Sequence, residues 1–514
     1  MALKRSDEPA RVPCKDVRLC ATKAACATPV ESNSTALRTL TGNPRQNHDI
    51  SPEIQSTPAR TGGLTVTSRP RIGLLFNYDW DAIGYALQAD RHRFDTAGFD
   101  LFSFPSNARL INFDLRRFAV AQARRGANNG WSGVVSNHEQ FGALAAALVA
   151  ERLGLPGTAP EAVLAAQHKL YARRVLQRVA PEANLGFTEL DACYGGDVPD
   201  GVLYPAFVKP VKAAFSVLAR AVRNRDELQA HTRFGRRELW VIRRLVEPFE
   251  RVLHERLPGA GTAHRMMLEE PLPHHTPQFN LDGWVFGGRA HALGVVDAVM
   301  YPGTQAFMRW EYPSRLAEPV QQRALAVAQK FLAAIGFTHG LFNMEFFFDA
   351  ATDRLAVIEF NPRLASQFAD LYLRVKGVDA HAMSLALALG QDPAALPRRQ
   401  PTAGAAASLV YRTFTADELP VMPTSRQAAE LARQFPGAML FTYPKRGHSL
   451  ARDFKWLGCH RYGIIHLDGR DEHQLRERCL RASALLGWTA PYADQLGHHT
   501  SPGWLGFPAP GVTQ

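Results

Sequence analysis

The stretch that decides the fold of this 514-residue chain is residues 342–363, FNMEFFFDAATDRLAVIEFNPR. Two apolar runs flank a short polar connection, a pattern typical of an antiparallel hairpin. If the turn is centred on Thr352, residues whose numbers sum to 704 lie opposite one another. Glu345 is then expected to face Glu359, and the alternation of a strand places Asn361 on the same face as Glu359.

Two facing carboxylates among phenylalanines would repel each other, and burying them unpaired is costly. A hard cation relieves the conflict, because Mg²⁺ prefers oxygen ligands and is usually held by one or two carboxylates together with phosphates. The alternative is a solvated hairpin with two outward-facing glutamates. We favour the metal interpretation because Asn361 and Arg363 complete the same constellation.

Composition and charge narrow the class of protein. With 46% hydrophobic residues the chain can bury two to four compact units, and no apolar run reaches membrane-spanning length. The net charge of +11 is scattered, without an aromatic-studded basic stripe or zinc-finger spacing, so nucleic-acid binding is not expected. A positive field suits a cleft that takes anionic ligands. We therefore expect a soluble, cytoplasmic protein.

The spacing of the cysteines and the absence of two nucleotide-binding motifs argue against several classes of protein. The six cysteines contain no Cys-x-x-Cys pair, and three of them fall in the polar N-terminal segment, so neither disulfides nor structural zinc are expected. The chain contains no Gly-x-x-x-x-Gly-Lys-[Ser/Thr] motif, and no Gly-x-Gly-x-x-Gly follows a strand. P-loop and dinucleotide-binding interpretations are therefore disfavoured.

Hydrophobic patterns outline the rest of the chain. Residues 1–68 are rich in Ser, Thr, Pro, Ala and Asn and predict a disordered leader. The predicted N-terminal elements are strands at 72–76, 99–104 and 133–136 and helices at 80–89 and 141–150. In the middle of the chain, the pattern predicts a helix from 160 that carries Lys169 and Arg173, and a second helix at 319–335. Strands are predicted at 204–208 and 265–272, and further strand-like segments alternate with the arginine-rich region 220–256. A linker at 391–408 leads to a final α/β piece with a strand at 462–466 and a helix at 472–486.

The end of the hairpin, IEFNPR at residues 358–363, resembles the metal-binding end of the ATP-grasp superfamily, of the carboxylate–amine ligase type with a biotin carboxylase-like fold. The resemblance implies that Glu345, Glu359 and Asn361 bind Mg²⁺, with Mn²⁺ as an alternative. It also implies that Arg363 steadies the phosphoryl group or the tetrahedral intermediate. The resemblance covers roughly residues 70–390.

Lysines ahead of the hairpin stand in the order that this superfamily uses. Lys169 resembles the early lysine that reaches the nucleotide phosphates, and Lys209 resembles the second phosphate-binding lysine, with a catalytic role. The superfamily then usually has a glycine-rich loop, whereas this chain has VKAAFS at 211–216. Alanine keeps the N–H donors but loses access to positive φ, so we expect a stiffer loop in which Lys212 and Ser216 contact phosphate.

The strand at 265–272 is similar to the hinge between the two halves of the grasp. By that analogy Glu269 and Glu270 belong to the nucleotide site, with the carbonyl of Glu270 and the N–H of Leu272 bonding the adenine edge. Gln278 is expected near the ribose.

The implied fold class is α/β and α+β. It comprises a leader (1–68), an N-terminal parallel α/β domain (69–165), an ATP-grasp domain (166–390) with a mobile central subdomain (204–268), and a linker with a small C-terminal α/β domain (391–514).

The implied activity is ATP-dependent amide formation from a small-molecule carboxylic acid and an amine, through an acyl phosphate, releasing ADP and phosphate. Two alternatives remain open: a biotin carboxylase-like enzyme using bicarbonate, and a non-catalytic ATP-binding regulator. Neither a nucleic-acid nor a membrane partner is expected, and a homodimer is left open.

Overall fold

The structure, a computed structural model, describes residues 69–99, 112–193, 197–213, 218–273, 276–415 and 419–496. The predicted leader, most of the predicted strand at 99–104, and Ser216 lie outside these residues.

The N-terminal part of the described chain is a small parallel α/β layer. Its elements are β1 (Arg71–Leu75), α1 (Asp79–Ala86), β2 (Arg93–Ala97), α2 (Leu115–Asn129), β3 (Trp131–Val135) and α3 (Gly142–Leu153). The strands pair in the order β2-β1-β3, all parallel. Helix α3 is buried continuously from Gly142 to Ala150, as expected of a helix that is apolar all round.

The predicted strand at 99–104 is wrong at its start, because Phe99 follows the strand rather than beginning it. The observed neighbour of β1 is β2, with the sequence RFDTA, which is half-exposed and carries no apolar run. Backbone pairing with β1, rather than side-chain pattern, holds this edge strand in place.

A helix break sets the position of Lys169. The single predicted helix is in fact two: α4 (Pro160–Gln167) and α5 (Lys169–Val179). His168 separates them with an extended backbone (φ −87°, ψ 91°), and its ring nitrogen Nδ1 accepts a hydrogen bond of 3.1 Å from the N–H of Tyr171. Lys169 therefore lies in the first turn of α5.

The next part of the chain forms a four-stranded antiparallel sheet with two helices, as far as the structure describes it. Its elements are β4 (Phe187–Cys193), β5 (Ala206–Pro210), β6 (Arg220–Val222), α6 (Arg225–Thr232), α7 (Arg236–Arg256) and β7 (Arg265–Glu269). The strand order is β4-β7-β5-β6.

The strand-like interpretation of 220–256 is wrong beyond β6, because most of this region is helical. In α7 the buried side chains Ile242, Val246, Phe249 and Leu253 recur at intervals of three or four residues. That period gives the helix one apolar face, and the arginines between these positions occupy the other.

The remaining strands form one eight-stranded antiparallel sheet among the described residues. The elements are β8 (Gln278–Phe286), β9 (Arg289–Met300), β10 (Phe307–Tyr312), α8 (Glu318–Ala334), β11 (Gly340–Asp349), β12 (Arg354–Asn361), α9 (Ala369–Lys376), α10 (Ala380–Ala388), β13 (Ala405–Thr413), α11 (Ser425–Gln434), β14 (Met439–Thr442), α12 (Gly447–Leu457), β15 (His460–Gly469) and α13 (Glu472–Leu486). The order is β12-β11-β8-β9-β10-β13-β15-β14.

The C-terminal strands extend the sheet that holds the hairpin. β13 begins at Ala405, inside the segment 391–408 that was interpreted as a linker, and pairs with β10 so that Ser408 lies opposite Trp310. At the other end, α8 covers the hairpin: the rings of Phe331 and Phe360 stack at 3.9 Å between centroids and 10° between planes. Within the described part of the chain, no helix combines the length and apolar character needed to cross a membrane.

Candidate active site

The hairpin of β11 and β12 places two glutamates side by side. Glu345 pairs with Glu359, and Asn343 pairs with Asn361, as predicted for the acid pair. Nearer the turn, however, Asp349 pairs with Arg354, and the register shifts by one residue next to Glu345. The turn is therefore not centred where it was predicted, but a β-bulge adds one residue to β12 before Glu359. The two differences cancel, so that Glu345 lies opposite Glu359 as predicted.

These glutamates border a cavity of about 390 Å³ whose wall is built from the four-stranded sheet, the segment after β7 that was predicted to be the hinge, and the eight-stranded sheet. Eight residues predicted for the site line it: Lys169, Lys209, Glu269, Glu270, Leu272, Gln278, Glu345 and Glu359. Its volume lies in the range of small-molecule sites. The folded chain thus brings together residues that are spread over 191 positions of sequence, from 169 to 359.

Each lysine of the cavity is held by a carboxylate and a carbonyl. Lys169 Nζ lies 2.8 Å from Glu359 Oε2 and donates to the carbonyl of Ala213 at 3.1 Å. Lys209 Nζ lies 2.9 Å from Glu269 Oε1 and donates to the carbonyl of Ile358 at 3.4 Å. Both ammonium groups are therefore fixed within the cavity wall.

Arg173, whose role the sequence did not reveal, ties α5 to the hairpin. Its side chain is 2% exposed, and its Nε donates to Glu269 at 2.7 Å. Its two terminal nitrogens donate to the carbonyls of Val357 and Ile358 at 2.6 and 2.9 Å. Arg173 thus satisfies backbone acceptors at the bulge of β12 while sharing Glu269 with Lys209.

The two facing carboxylates have opposite pKa shifts. Burial and the adjacent charge of Glu359 raise the pKa of Glu345. Burial acts to raise the pKa of Glu359 as well, but Lys169 and Lys209 outweigh it and hold that pKa below its usual range. Glu359 is thus stabilised as a carboxylate by the two lysines, whereas the negative charge of Glu345 is only partly offset. A cation beside Glu345 would stabilise its ionised form.

The donor set at this pair fits a hard divalent cation. Glu345 and Glu359 lie opposite each other in the hairpin. Asn361 is two residues beyond Glu359 and therefore on the same face of the sheet. Gln278 Nε2 donates to Glu345 at 3.0 Å. Among the described residues no group of three or more His, Cys, Asp and Glu side chains is arranged to hold a metal. Oxygen donors of this kind suit Mg²⁺ that is also bound to phosphates.

Three predicted residues are not among the described residues that line the cavity: Lys212, Asn361 and Arg363. Arg363 forms a 2.8 Å ion pair with Glu139, which follows β3. Lys212 donates to Gln167 at 3.1 Å, and burial lowers its pKa to about 7. Arg363 and Lys212 thus contact residues that follow the parallel strands in the chain, whereas Asn361 donates to Asn343 on β11.

The predicted hinge after β7 contacts both backbone and side-chain groups of other segments. The N–H of Glu270 donates to the carbonyl of Gly186 at 2.9 Å, and its carboxylate pairs with Arg354. Leu272 lines the cavity between Pro271 and Pro273. The adenine and ribose contacts inferred for Glu270, Leu272 and Gln278 remain predictions.

Several polar residues at the site escaped the sequence interpretation: Glu139, Arg173, Asp282 and Asn343. For Asn343 a signal existed, since it lies two residues before Glu345 and therefore on the same face. The others reach the site through contacts between residues distant in sequence, which no local pattern reveals.

This arrangement is the ATP-grasp fold: a cavity lies between two antiparallel sheets, a parallel α/β layer precedes them in the chain, and an α/β piece follows. The solved L-amino acid ligase from Bacillus licheniformis is similar over 81% of this chain and 98% of its own, with a TM-score of 0.60 and 15% identity. Biotin carboxylase from Campylobacter jejuni, solved with a nucleotide, covers 81% of this chain and 91% of its own, with a TM-score of 0.51 and 15% identity. An ADP complex of N5-carboxyaminoimidazole ribonucleotide synthetase is similar over 81% of this chain and 96% of its own, with a TM-score of 0.54 and 10% identity.

Two curated proteins are similar in sequence. Carnosine synthase 1 of Gallus gallus is 29% identical over 264 residues, which are 49% of this chain but 27% of that protein. An uncharacterised protein of Sinorhizobium fredii is 24% identical over 397 residues, covering 75% of this chain and 74% of that protein. The chain thus spans about a quarter of the carnosine synthase. No protein-family model matches the chain.

Proposed function

We propose that this protein is an ATP-dependent carboxylate–amine ligase that forms an amide bond through an acyl phosphate and releases ADP and phosphate. The observation that carries the proposal is the facing pair Glu345 and Glu359 in one cavity with Lys169 and Lys209. Two carboxylates can hold Mg²⁺, and two nearby lysines can bind phosphate oxygens, so this group of side chains suits a magnesium-bound triphosphate.

The chemistry proceeds in two balanced steps. An oxygen of the substrate carboxylate attacks the γ-phosphorus as the bond to the β–γ bridging oxygen breaks, giving an acyl phosphate and ADP. The amine nitrogen then attacks the acyl carbon, the bond from that carbon to the phosphate oxygen breaks, and the amine loses a proton as phosphate leaves.

The residues of the chain act by position and charge. Lys169 and Lys209 offset phosphate charge, and Glu345, Glu359 and Asn361 would hold Mg²⁺ or Mn²⁺, which supplies further neutralisation of phosphate charge. Arg363 forms an ion pair with Glu139, and its charge acts on both glutamates of the acidic pair. In the proposed reaction it stabilises the developing oxyanion. Closure of residues 204–268 over the nucleotide excludes water that would hydrolyse the acyl phosphate.

The similar proteins support a narrower substrate class. One solved neighbour is an L-amino acid ligase, and carnosine synthase 1 is similar over half of this chain. We therefore propose amino acids or related amines among the substrates. A cytoplasmic location, where ATP is available, belongs to the same proposal, as does the absence of nucleic-acid and membrane partners.

The test is a screen of carboxylic acids against amines with the full chain, ATP and Mg²⁺, read by ADP formation and followed by mass analysis of the product. We expect ADP and phosphate only when an acid and an amine are both present. The E345Q/E359Q variant serves as the inactive control.

Other outcomes of the screen separate the alternatives. ADP formation that depends on bicarbonate and a biotin acceptor would indicate a carboxylase. Tight ATP binding without ADP release across the whole panel would indicate a regulator. Release of AMP and pyrophosphate would contradict the proposed chemistry.

A further inference from the structure

A buried row of polar side chains runs across the sheet beside the acidic pair. Asp282 on β8, Asn343 on β11 and Asn361 on β12 are 0%, 1% and 2% exposed. Asn343 Nδ2 donates to Asp282 Oδ1 at 3.0 Å, and Asn361 Nδ2 donates to Asn343 Oδ1 at 3.1 Å. The hydroxyl of Tyr372 donates to the other oxygen of Asp282 at 2.8 Å. The row therefore begins at a carboxylate and ends at the predicted metal ligand Asn361.

The chemistry of these groups gives the row a direction. Burial raises the pKa of Asp282 to about 7, so above neutral pH the group is an ionised carboxylate, which can only accept hydrogen bonds. A side-chain amide has one donating and one accepting end. Asp282 therefore requires Asn343 to turn its Nδ2 inward, which leaves its Oδ1 facing Asn361. Asn361 must then present its own Nδ2 to Asn343, so its Oδ1 is left on the opposite side of the amide.

We propose that Asp282 is a positioning residue that, through Asn343, orients the amide of Asn361 so that oxygen rather than nitrogen faces the metal. This inference rests on the proposed function, because it assumes that Glu345, Glu359 and Asn361 hold Mg²⁺. A hard cation bonds to an amide oxygen and is repelled by the NH₂ end, so a flipped amide removes one ligand. Partners behind a metal ligand commonly fix its orientation in this way.

A neighbouring amide links this row to the acidic pair. Asn280 lies directly opposite Glu345 in the sheet, and its Oδ1 accepts a second bond from Asn343 Nδ2 at 3.3 Å. Its own Nδ2 is buried without a hydrogen-bond partner. Asn280 can therefore turn its amide and donate if the central residue of the row becomes a carboxylate.

The test measures Mn²⁺ affinity by electron paramagnetic resonance at saturating ATP and about pH 8, above the raised pKa of Asp282, with thermal unfolding of every variant measured alongside. D282N gives Asn343 a partner that can also donate, so its amide is no longer fixed. We expect about a tenfold loss of Mn²⁺ affinity. The matched control is D297N: Asp297 on β9 is also a buried, hydrogen-bonded aspartate, but it accepts from Ser314 and Arg315 and lies outside the row. D297N should leave Mn²⁺ affinity unchanged.

A charge swap tests the direction of the row. In D282N/N343D the central carboxylate can only accept, so it again receives Nδ2 of Asn361, while the amide introduced at position 282 and that of Asn280 donate to it. Mn²⁺ affinity should return to within about threefold of the wild type. A role limited to sheet stability would show in the unfolding temperature and would leave the metal affinity unmoved.

Two further variants keep the inference testable if D282N does not fold. N343A removes the link and should lose metal affinity as D282N does. Y372F removes a hydrogen bond that favours the ionised form of Asp282 but leaves Asp282 facing Asn343, so metal affinity should be retained when the pH is high enough to keep Asp282 ionised. The inference would be overturned if D282N or N343A kept wild-type Mn²⁺ affinity, or if the charge swap did not restore it. It would also be overturned if Y372F lost as much Mn²⁺ affinity as D282N. The proposed metal site fails separately, if the wild type binds no Mn²⁺ with ATP or if E345Q/E359Q binds it normally.

Discussion

Lys169 Nζ lies 2.8 Å from Oε2 of Glu359, so the first lysine of the site is paired with one of the two acids proposed to hold the metal. The same lysine donates to the carbonyl of Ala213, in the segment predicted to be the phosphate loop. Since one oxygen of Glu359 already bonds to a cation, a metal ion entering at the acidic pair competes with Lys169 for that carboxylate.

Replacing Lys169 with methionine should therefore affect metal and nucleotide in opposite directions. Without the competing ammonium group, Mn²⁺ alone should bind about tenfold more tightly, because hydrogen bonds to charged groups contribute about 1.5–3 kcal/mol. Binding of ATP with Mn²⁺ should weaken, because the variant loses the proposed contact between Lys169 and phosphate. Electron paramagnetic resonance with and without ATP measures both effects. K330M, which alters a surface lysine paired with Glu182, is the control. Equal weakening of both ligands would contradict the competition.

Removing both acids should abolish the metal-dependent part of nucleotide binding. Mutations behind metal ligands cost about 10–100-fold in metal affinity, so loss of the ligands in E345Q/E359Q should cost at least about 100-fold for Mg·ATP. Isothermal titration with ATP, with and without Mg²⁺, measures the change. Wild-type affinity for Mg·ATP in this variant would refute the proposed function.

Arg173 should matter for stability as well as for the site. R173A leaves Glu269 with Lys209 alone and removes one donor from each of the carbonyls of Val357 and Ile358. Breaking a buried ion pair commonly costs about 3–5 kcal/mol. Urea unfolding should show a loss of that size. The matched control is R174A, whose side chain is 44% exposed and pairs with Glu189, so at most about 1 kcal/mol should be lost. Similar losses in both variants would refute the structural role of Arg173.

Lys212 should make stability depend on pH. Burial lowers its pKa from 10.5 to about 7, so the folded state releases this proton more readily than the unfolded state does. Below pH 7 both states hold the proton and the folded state bears the full cost of a buried charge. Between about pH 7 and 10.5 the unfolded state binds more protons, so stability rises with pH.

K212M removes that dependence. The variant should be more stable than the wild type at pH 6, by at most about 5 kcal/mol, and the difference should shrink toward pH 10. Thermal unfolding across this pH range measures it. A difference that stays constant or grows with pH would show that the lysine is not destabilised by burial.

The pattern of the chain predicted the parts of the fold that depend on local periodicity. The acid pair was placed correctly because strand alternation is strict over a few residues, although the turn was centred half a residue too late. The helix break at His168 was missed because its cause is a side-chain cap on the N–H of Tyr171, which helical periodicity does not reveal. The helices within 220–256 were missed because arginines between their apolar positions obscured the 3.6-residue period.

The order of residues along the chain was enough to predict part of the site, but not the residues that reach it through contacts distant in sequence. Lys169, Lys209 and the hinge were placed by their order ahead of the hairpin, and they do line one cavity. Glu139 and Asp282 could not be found, because their partners Arg363 and Asn343 lie 224 and 61 positions away. Lys212 was expected at the phosphates, but its amine is directed to Gln167, a contact that depends on how α4 packs.

The pairing of β13 with β10 means that the C-terminal strands do not form an appendage that can be removed freely. A protein shortened at residue 404 would leave the backbone N–H and C=O groups along one side of β10 without partners, beside the bulky side chains of Met308 and Trp310. Such an open sheet edge recruits strands from other molecules. Truncation would therefore turn this sheet into a template for self-association, at a place far along the sheet from the acids of the hairpin.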